Sequence, residues 1–289
     1  MSFLKKLSEG RIWKRIFYER LTEPLHLNAF SLFAAIFGSY RMKIALDLVV
    51  RQHNAYCILK SADQARQLGI RSVTLIEFGV ATGAGLFNMA QIAKRISSST
   101  GIEFRIYGFD SGKGMPQAIG YQDHPEYYKQ GDYPMDYGRL KSILPANTKL
   151  IIGDINQQSI QKFITENVSR EAPIGYVNID VDYYSSARES LKIFLEPAEK
   201  YLPVTYVYFD DIEFEGHNSR CGELLAVEEF NRDNPLRFIE RHSFLENQRI
   251  FKKANWIKHI FALQVLDHPV RNDLTSRPDK PSVLNNPYL

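Results

Sequence analysis

The chain has 289 residues, of which 44% are hydrophobic and 24% charged, values typical of a globular protein. Its formal net charge of +3 gives no strong basic field, and the sequence lacks the aromatic base-binding motifs of nucleic-acid methylation, so we expect no nucleic-acid partner. The only cysteines, Cys57 and Cys221, lack the spacing of metal ligands and favour a reducing compartment, so we expect a cytoplasmic protein.

The N-terminal segment is predicted to be helical. Residues 3–21 place apolar side chains and basic residues at helical spacing, which favours packing on the main domain or on a partner subunit, with a membrane surface as the alternative. Helical spacing continues over 44–50 and 55–68, and Gly69 ends the second stretch. The longest apolar run, residues 29–38, is too short to cross a bilayer. We therefore expect no membrane span and leave a homo-oligomer open.

Short apolar strands that alternate with helices follow this segment. Such strands are typical of a parallel sheet that is buried on both faces. The predicted strands are residues 73–78, 104–109, 149–152, 174–180 and 204–210. We therefore expect an α/β fold: a doubly wound, mostly parallel Rossmann-like sheet with helices on both faces and an N-terminal helical extension. The predicted boundaries are 1–70 for the extension, 71–271 for the main domain and 272–289 for a flexible tail.

The first predicted strand passes through Glu77 into a turn of small residues, Gly79–Gly85, and then into a helix. Strand–turn–helix units of this kind bind nucleotides, because small residues let the backbone approach a ligand closely. Glu77 would repel a pyrophosphate but suits a ligand with an ammonium and a sulfonium, such as S-adenosylmethionine. The turn also departs from G-x-G-x-x-G, which disfavours a nicotinamide-dependent enzyme. Glycine-rich turns without any ligand remain the alternative.

Acidic residues follow the next two strands. Asp110 ends the second strand, where a carboxylate can accept hydrogen bonds from both hydroxyls of a ribose. Asp154 follows the third strand and either borders an adenine or caps the next helix. Because two strand ends now carry acids, a ligand site is favoured over a purely structural turn.

Paired acids end the last two predicted strands, Asp180 with Asp182 and Asp210 with Asp211. The carboxyl ends of parallel strands meet at one edge of a sheet, and carboxylates gathered there repel one another unless a cation lies among them. We expect Asp182, Asp210 and Asp211 to hold Mg²⁺ or another hard divalent cation, with Asp180 supporting the turn. One of these carboxylates could also take the proton of a substrate hydroxyl. The alternative is that these acids cap the following helices. Capping would explain Asp182, which precedes Ser185, but it would not explain the Asp210–Asp211 pair.

Two loops have no periodic pattern. Residues 115–139 are rich in tyrosine, glycine and proline, which indicates a lid or binding loop, or else a surface excursion packed by its own tyrosines. The loop after the fifth strand contains His217, Asn218 and Arg220, which either touch a substrate or only decorate the loop.

Four motifs together resemble the class I S-adenosylmethionine-dependent methyltransferases, and within them the macrocin O-methyltransferase type. They are E-F-G-V-A-T-G-A-G from residue 77, Y-G-F-D-S-G-K-G-M-P from residue 107, I-D-V-D-Y-Y-S-S from residue 179 and F-D-D from residue 209. The resemblance covers roughly residues 70–235 and implies a methyltransferase domain within 71–271. The chain departs from the family at Ala81, at Val181 and at Leu202-Pro203-Val204, where the family has Pro-Gly-Gly.

The resemblance also implies roles for individual residues. Asp182 would be the catalytic base and, with Asp210 and Asp211, a metal ligand. The cofactor-binding candidates are Glu77, Gly79, Ala81, Thr82, Gly83, Asp110, Ser111, Asp154 and Asp180.

We therefore expect an O-methyltransferase that uses S-adenosylmethionine and Mg²⁺ to modify a hydroxyl of a small molecule or sugar. The alternative is a methyltransferase-fold protein that binds the cofactor or a partner without catalysis.

Overall fold

A seven-stranded sheet organises the protein. The computed structural model describes residues 15–213 and 218–273. The strands are ordered β3-β2-β1-β4-β5-β7-β6, and β7 runs antiparallel to both of its neighbours while the other pairs are parallel. The strand bounds are β1 Ser72–Phe78, β2 Glu103–Asp110, β3 Thr148–Ile152, β4 Ile174–Ile179, β5 Tyr201–Phe209, β6 Arg237–Arg241 and β7 Ile260–Val265.

Helices cover both faces of the sheet. The α-helices, in chain order, are α1 Leu25–Phe37, α2 Tyr40–Ala45, α3 Gln52–Gln67, α4 Ala84–Thr100, α5 Tyr137–Ile143, α6 Gln157–Asn167, α7 Tyr184–Leu191, α8 Gly222–Asp233, α9 Leu245–Gln248 and α10 Pro269–Asn272. One apolar core joins the sheet to α3 and α4, and a second joins its other face to α6, α7 and α8. The predicted doubly wound, mostly parallel sheet with helices on both faces is therefore confirmed.

The central strands show why the sequence pattern was informative. Every residue of β4 is buried, and so is every residue of β1 after Ser72. Strands covered on both faces are apolar throughout rather than alternating, and this is the pattern that predicted them. The sequence did not predict β6, which is short, carries three charged residues and alternates buried with exposed positions. Nor did it predict β7, which enters the sheet between β5 and β6.

The helix predicted over residues 44–50 ends early. α2 ends at Ala45, and Asp47 and Arg51 both adopt left-handed backbone conformations with φ of 55° and 52°. A left-handed residue cannot continue a right-handed helix, so the chain turns twice before α3 begins at Gln52.

The outward face of α1 is apolar and exposed. Its buried residues are Ser31 and Ala34, whereas Leu32, Phe33 and Ile36 are 73%, 55% and 73% exposed. Among the described residues, none of the helices has the length and apolar character needed to cross a membrane. Packing of the N-terminal segment on a partner or on a membrane surface stays a prediction, as do the domain boundaries. Residues 3–14 and all but the first two residues of the predicted tail lie outside the described part.

Arg249, which follows α9, joins the segment between α9 and β7 to the N-terminal helices. Its guanidinium donates to the carbonyl oxygens of Ile44 at 2.8 Å and Ala45 at 3.0 Å, and to the carboxylate of Asp47 at 2.5 Å. The Arg249 and Asp47 side chains are 7% and 2% exposed. Water therefore does not solvate these charges, and the two charges compensate each other.

We expect Arg249→Met to lower the free energy of unfolding by about 3–5 kcal/mol, because it removes the Arg249 charge that compensates the buried Asp47 carboxylate. Urea unfolding followed by circular dichroism measures this loss. Arg41→Met is the matched control, since Arg41 pairs with Asp63 where the two side chains are 42% and 32% exposed. That pair should contribute less than about 1 kcal/mol. Equal losses in the two variants would contradict the interpretation, and Asp47→Asn combined with Arg249→Met should recover part of the loss.

Candidate functional site

A cavity of about 920 Å³ lies at the carboxyl ends of β1, β2, β4 and β5. This volume falls in the range of small-molecule sites, roughly 300–1,000 Å³. The cavity opens where the strand order reverses, with β2 on one side of β1 and β4 on the other. The site residues predicted from the sequence line this cavity, apart from Gly83: Glu77, Gly79, Ala81, Thr82, Asp110, Ser111, Asp154, Asp180, Asp182, Asp210 and Asp211.

The turn after β1 needs glycine for two different reasons. Gly79 has a φ of 84°, and a Cβ there would lie 1.7 Å from the carbonyl oxygen of Asp180, so the ends of β1 and β4 approach closely only without a side chain. Gly83 has a φ of 81°, and a Cβ there would lie 2.3 Å from Cδ1 of Leu140. Gly83 therefore packs against α5 and shapes the turn from behind the cavity.

Glu77 is a buried carboxyl group with an unused oxygen. Its Oε1 accepts a hydrogen bond from the side chain of Asn178 at 3.1 Å, while Oε2 has no hydrogen-bond partner among the described residues. Gly85 makes room for it, since a Cβ there would lie 1.9 Å from Oε1 of Glu77. Burial raises the pKa of Glu77 to about 8, against the opposing effect of the Arg51 charge. An orphan carboxylate oxygen in a cradle that a Cβ would fill suits a ligand ammonium.

Asp110 fastens the turn to β2. Its Oδ2 accepts hydrogen bonds from the backbone N–H groups of Val80 and Ala81, both at 2.9 Å, and its Oδ1 accepts one from Gly112 at 2.7 Å. An ionised carboxylate offers about four acceptor positions, so capacity for a ligand hydroxyl remains. Its predicted contact with a ribose stays a prediction.

Asp154 does not cap the helix that follows it. The N-cap of α6 is Asn156, whose side chain accepts a hydrogen bond from the backbone N–H of Ser159 at 3.0 Å. The alternative interpretation of Asp154 as a helix cap is therefore wrong, and its exposed side chain lies at the cavity wall.

Three carboxylates converge at the β4–β5 end of the cavity. Asp180, Asp210 and Asp211 each offer an oxygen, and these atoms lie within 4.8 Å of one another. Burial raises the pKa values of Asp180 and Asp211, and nearby carboxylates raise them further. Oxygen ligands of this kind fit a hard divalent cation.

Asp182 lies beside this group rather than within it. Its φ of 58° is left-handed, so it does not continue the alternation of β4, and its side chain hydrogen-bonds with Tyr128 and with Asp211. Burial raises its pKa, and these hydrogen bonds act against that rise. The structure thus groups Asp180 with Asp210 and Asp211, where the sequence predicted Asp182. The capping role considered for Asp182 falls to a different residue, Asp123, whose carboxylate accepts the backbone N–H of Ser185 at 2.8 Å.

Glu223 adds a further acid that the sequence did not predict. It is fully buried in the first turn of α8, and its Oε2 accepts the backbone N–H of Asp211 at 3.2 Å. Within the described part of the chain, Glu223 Oε1 and Asp211 Oδ2 have no hydrogen-bond partners. Burial raises the pKa of Glu223, and the charge of Asp180 raises it further. Unpaired buried carboxylate oxygens beside the three aspartates are what a bound cation would satisfy.

The loop after β2 supplies the remaining wall of the cavity. Its side chains there include Met115, Tyr127, Tyr128 and Tyr133. The role of this loop as a lid or binding loop stays a prediction. Burial raises the pKa of Tyr128, and the charge of Asp182 raises it further. Arg51, which no sequence pattern singled out, also lines the cavity. His217 lies outside the described residues.

No protein-family model matches the chain, and no curated protein matches it. Among solved structures, it is similar to the calicheamicin methyltransferase CalS11, with a TM-score of 0.45 and 19% identity over 71% of this chain and 83% of that chain. The CmcI apo-structure matches with a TM-score of 0.37 and 15% identity over 71% of this chain and 70% of that chain. The plantazolicin methyltransferase BpumL, in complex with SAH, matches with a TM-score of 0.35 and 10% identity over 83% of this chain and 97% of that chain.

The strand order, with five parallel strands and β7 antiparallel between β5 and β6, is a mostly parallel Rossmann-like sheet. At these identities and TM-scores, the similarity leaves the chemistry to be decided by the residues of the cavity.

The pKa of Glu77 implies a pH-dependent stability. A carboxyl group with a pKa of about 8 when folded and 4.5 as its usual value keeps a proton in the folded state that the unfolded state releases. The ligand-free protein should therefore lose stability as pH rises from 4.5 to 8. Glu77→Gln should lose less over the same window, in urea unfolding with chelator present. The control is Glu166→Gln at an exposed position, which should match wild type. Identical pH dependence in all three proteins would show that Glu77 does not titrate this way.

Proposed function

We propose that the protein is an S-adenosylmethionine-dependent O-methyltransferase that modifies a hydroxyl group of a small molecule or sugar. The proposal rests on one observation. A single cavity has a buried carboxylate with an orphan oxygen in a glycine cradle at its β1 end and, at its β4–β5 end, three converging carboxylates, one of which has an unpaired buried oxygen. The first suits a donor with an ammonium and a sulfonium, and the second suits a divalent cation beside an acceptor hydroxyl.

At the donor end, Glu77 would pair with the ammonium of the methionine moiety. Gly79 lets β4 approach β1 closely, and Gly85 makes room for the Glu77 carboxylate. Asp110 and Ser111 would hold the ribose, and Asp154 would border the adenine. S-adenosylmethionine supplies a methyl group on a positively charged sulfur. The protein then orients the acceptor oxygen opposite that sulfur, which removes much of the entropic barrier of a bimolecular reaction.

At the acceptor end, Asp180, Asp210 and Asp211 would hold the metal, with Glu223 behind them. A bound Mg²⁺ lowers the pKa of a neighbouring hydroxyl. Asp182 would accept the proton of that hydroxyl as the oxygen–methyl bond forms and the carbon–sulfur bond breaks. Tyr128 would orient Asp182 through their hydrogen bond. The sequence-based alternative, with Asp182 as a ligand, keeps the same base.

The resemblance to the macrocin O-methyltransferase type supports a hydroxyl of a small molecule or sugar as the acceptor. We further propose a cytoplasmic location, which fits the free thiols of Cys57 and Cys221.

Asp110→Ala should weaken binding of S-adenosylhomocysteine by about 1.5–3 kcal/mol, the scale of lost hydrogen bonds to a charged group. The change removes both the proposed ribose contact and the fastening of the turn. Titration calorimetry measures it, with Asp233→Ala at the end of α8 as a control that should bind like wild type. If wild type does not bind, or if Asp110→Ala binds equally well, the cofactor assignment is wrong.

Asp182→Asn should lower methyl transfer to a vicinal diol at least ~100-fold, the lower range for loss of a general base. Asparagine is nearly isosteric with aspartate and tolerates the left-handed conformation at this position, so the fold and the binding of S-adenosylhomocysteine should persist. The assay follows methyl transfer from labelled S-adenosylmethionine to catechol and to simple sugars. Chelator should abolish the wild-type activity, and Mg²⁺ should restore it.

Two outcomes would contradict this mechanism. Full activity in chelator together with an active Asp182→Asn variant would exclude a metal-assisted base. Tight binding of S-adenosylhomocysteine without turnover on any diol would favour the binding protein without catalysis.

A further inference from the structure

One buried carboxylate holds the loop after β2 against α7. Asp123 lies in a 3-10 turn, Tyr121–Asp123, and is 1% exposed. Its Oδ1 accepts the backbone N–H of Ser185 at 2.8 Å, and its Oδ2 accepts the Ser185 hydroxyl at 3.0 Å. The same Oδ2 accepts the backbone N–H of Ile119 at 2.8 Å. One side chain therefore satisfies donors from the helix and from the loop.

α7 has no cap from its own sequence. Its N-cap residue, Tyr183, makes no side-chain capping hydrogen bond, although the first turn of a helix leaves several N–H groups unpaired. Asp123 takes the place of a capping residue from 62 positions away. Its negative charge also lies at the positive end of the helix dipole, which adds to the stabilisation.

The loop that Asp123 anchors also reaches Asp182. Five residues further along, the Tyr128 hydroxyl hydrogen-bonds with Asp182, and the Tyr128 ring packs edge-on to Tyr183 with centroids 5.8 Å apart. Asp182 and Tyr183 directly precede α7. The residue proposed as the base is therefore held from one side by a helix start and from the other by a loop, and Asp123 joins the two.

We propose that Asp123 is a positioning residue for the acceptor end of the cavity: it clasps the loop to the N-terminus of α7 and thereby keeps Tyr128 against Asp182. This role for Asp182 rests on the proposed function. Asp123 does not line the cavity. The donor end is built on the β1 turn and Asp110, which Asp123 does not contact, so the clasp acts on one end alone. The loop is held closed by the protein itself rather than only by a ligand.

Two substitutions separate the two sides of the clasp. Asp123→Ala removes the acceptors for both Ser185 and Ile119. Amide hydrogen exchange should therefore become at least ~10-fold faster in residues 117–128 and in residues 183–190. Asp123→Asn keeps one acceptor oxygen for Ser185, but its amide NH₂ faces the N–H of Ile119 and cannot accept from it. In this variant we expect protection of 183–190 close to wild type and fast exchange in 117–128. Such selective rescue is not expected of a general loss of stability.

The control is Asp136→Ala. Asp136 is also an acidic cap in this loop, but it caps its own helix, α5, by accepting the backbone N–H of Arg139 at 3.1 Å. Its loss should leave exchange in 183–190 unchanged. The Kd for S-adenosylhomocysteine should stay within about twofold of wild type in both Asp123 variants, because the donor end is separate.

The exchange experiment needs no substrate, so its result for the clasp does not depend on the proposed function. Unchanged protection of 183–190 in Asp123→Ala would overturn the clasp, and so would equal acceleration in the alanine and asparagine variants. A wild type that fails to bind S-adenosylhomocysteine would overturn the proposed function and leave the clasp standing.

Discussion

Repulsion among buried carboxyl groups is the constraint on which the rest of the site depends. Asp180, Asp211 and Glu223 lie close together because β4 and β5 end at the same edge of the sheet and α8 begins beside them. Burial raises the pKa of each, and the charges of neighbouring carboxylates raise it further. A folded chain can keep such a group only by holding protons there or by accepting a cation. A cation that bound at this edge would therefore also stabilise the fold, because it would relieve the same repulsion.

The two ends of the cavity are built differently. The donor end comes from one continuous stretch, the turn from Gly79 to Gly85, together with Glu77 before it and Asp110 on the neighbouring strand. The acceptor end is assembled from β4, β5, α8 and the loop after β2, which are far apart in the chain. A local turn has a recognisable sequence because its backbone shape demands particular residues. An assembled wall has no such signature, so sequence patterns identify the donor end of the cavity more completely than the acceptor end.

The sequence predicted β1 to β5 within a few residues, and it predicted the edge at which the site forms. Strands covered on both faces are apolar throughout, and this pattern is local. It could not predict Glu223 or Asp123, because each acts through a backbone N–H that only the fold brings near. The sequence placed Asp182 with Asp210 and Asp211, whereas the structure places Asp180 there, and this difference has a similar cause. The left-handed conformation of Asp182 breaks the strand alternation, and aspartate is compatible with either conformation.

The pairing of Arg249 with Asp47 also sets the earliest time during synthesis at which the folded structure can be complete. The two residues are 202 positions apart, so at ~5–20 residues per second the ribosome adds the second one about 10–40 seconds after the first. β7, which extends the sheet beyond β5, is made later still. Through that interval the hydrogen bonds that Arg249 gives to Ile44, Ala45 and Asp47 cannot form, so the turn between α2 and α3 waits for a residue made 202 positions later.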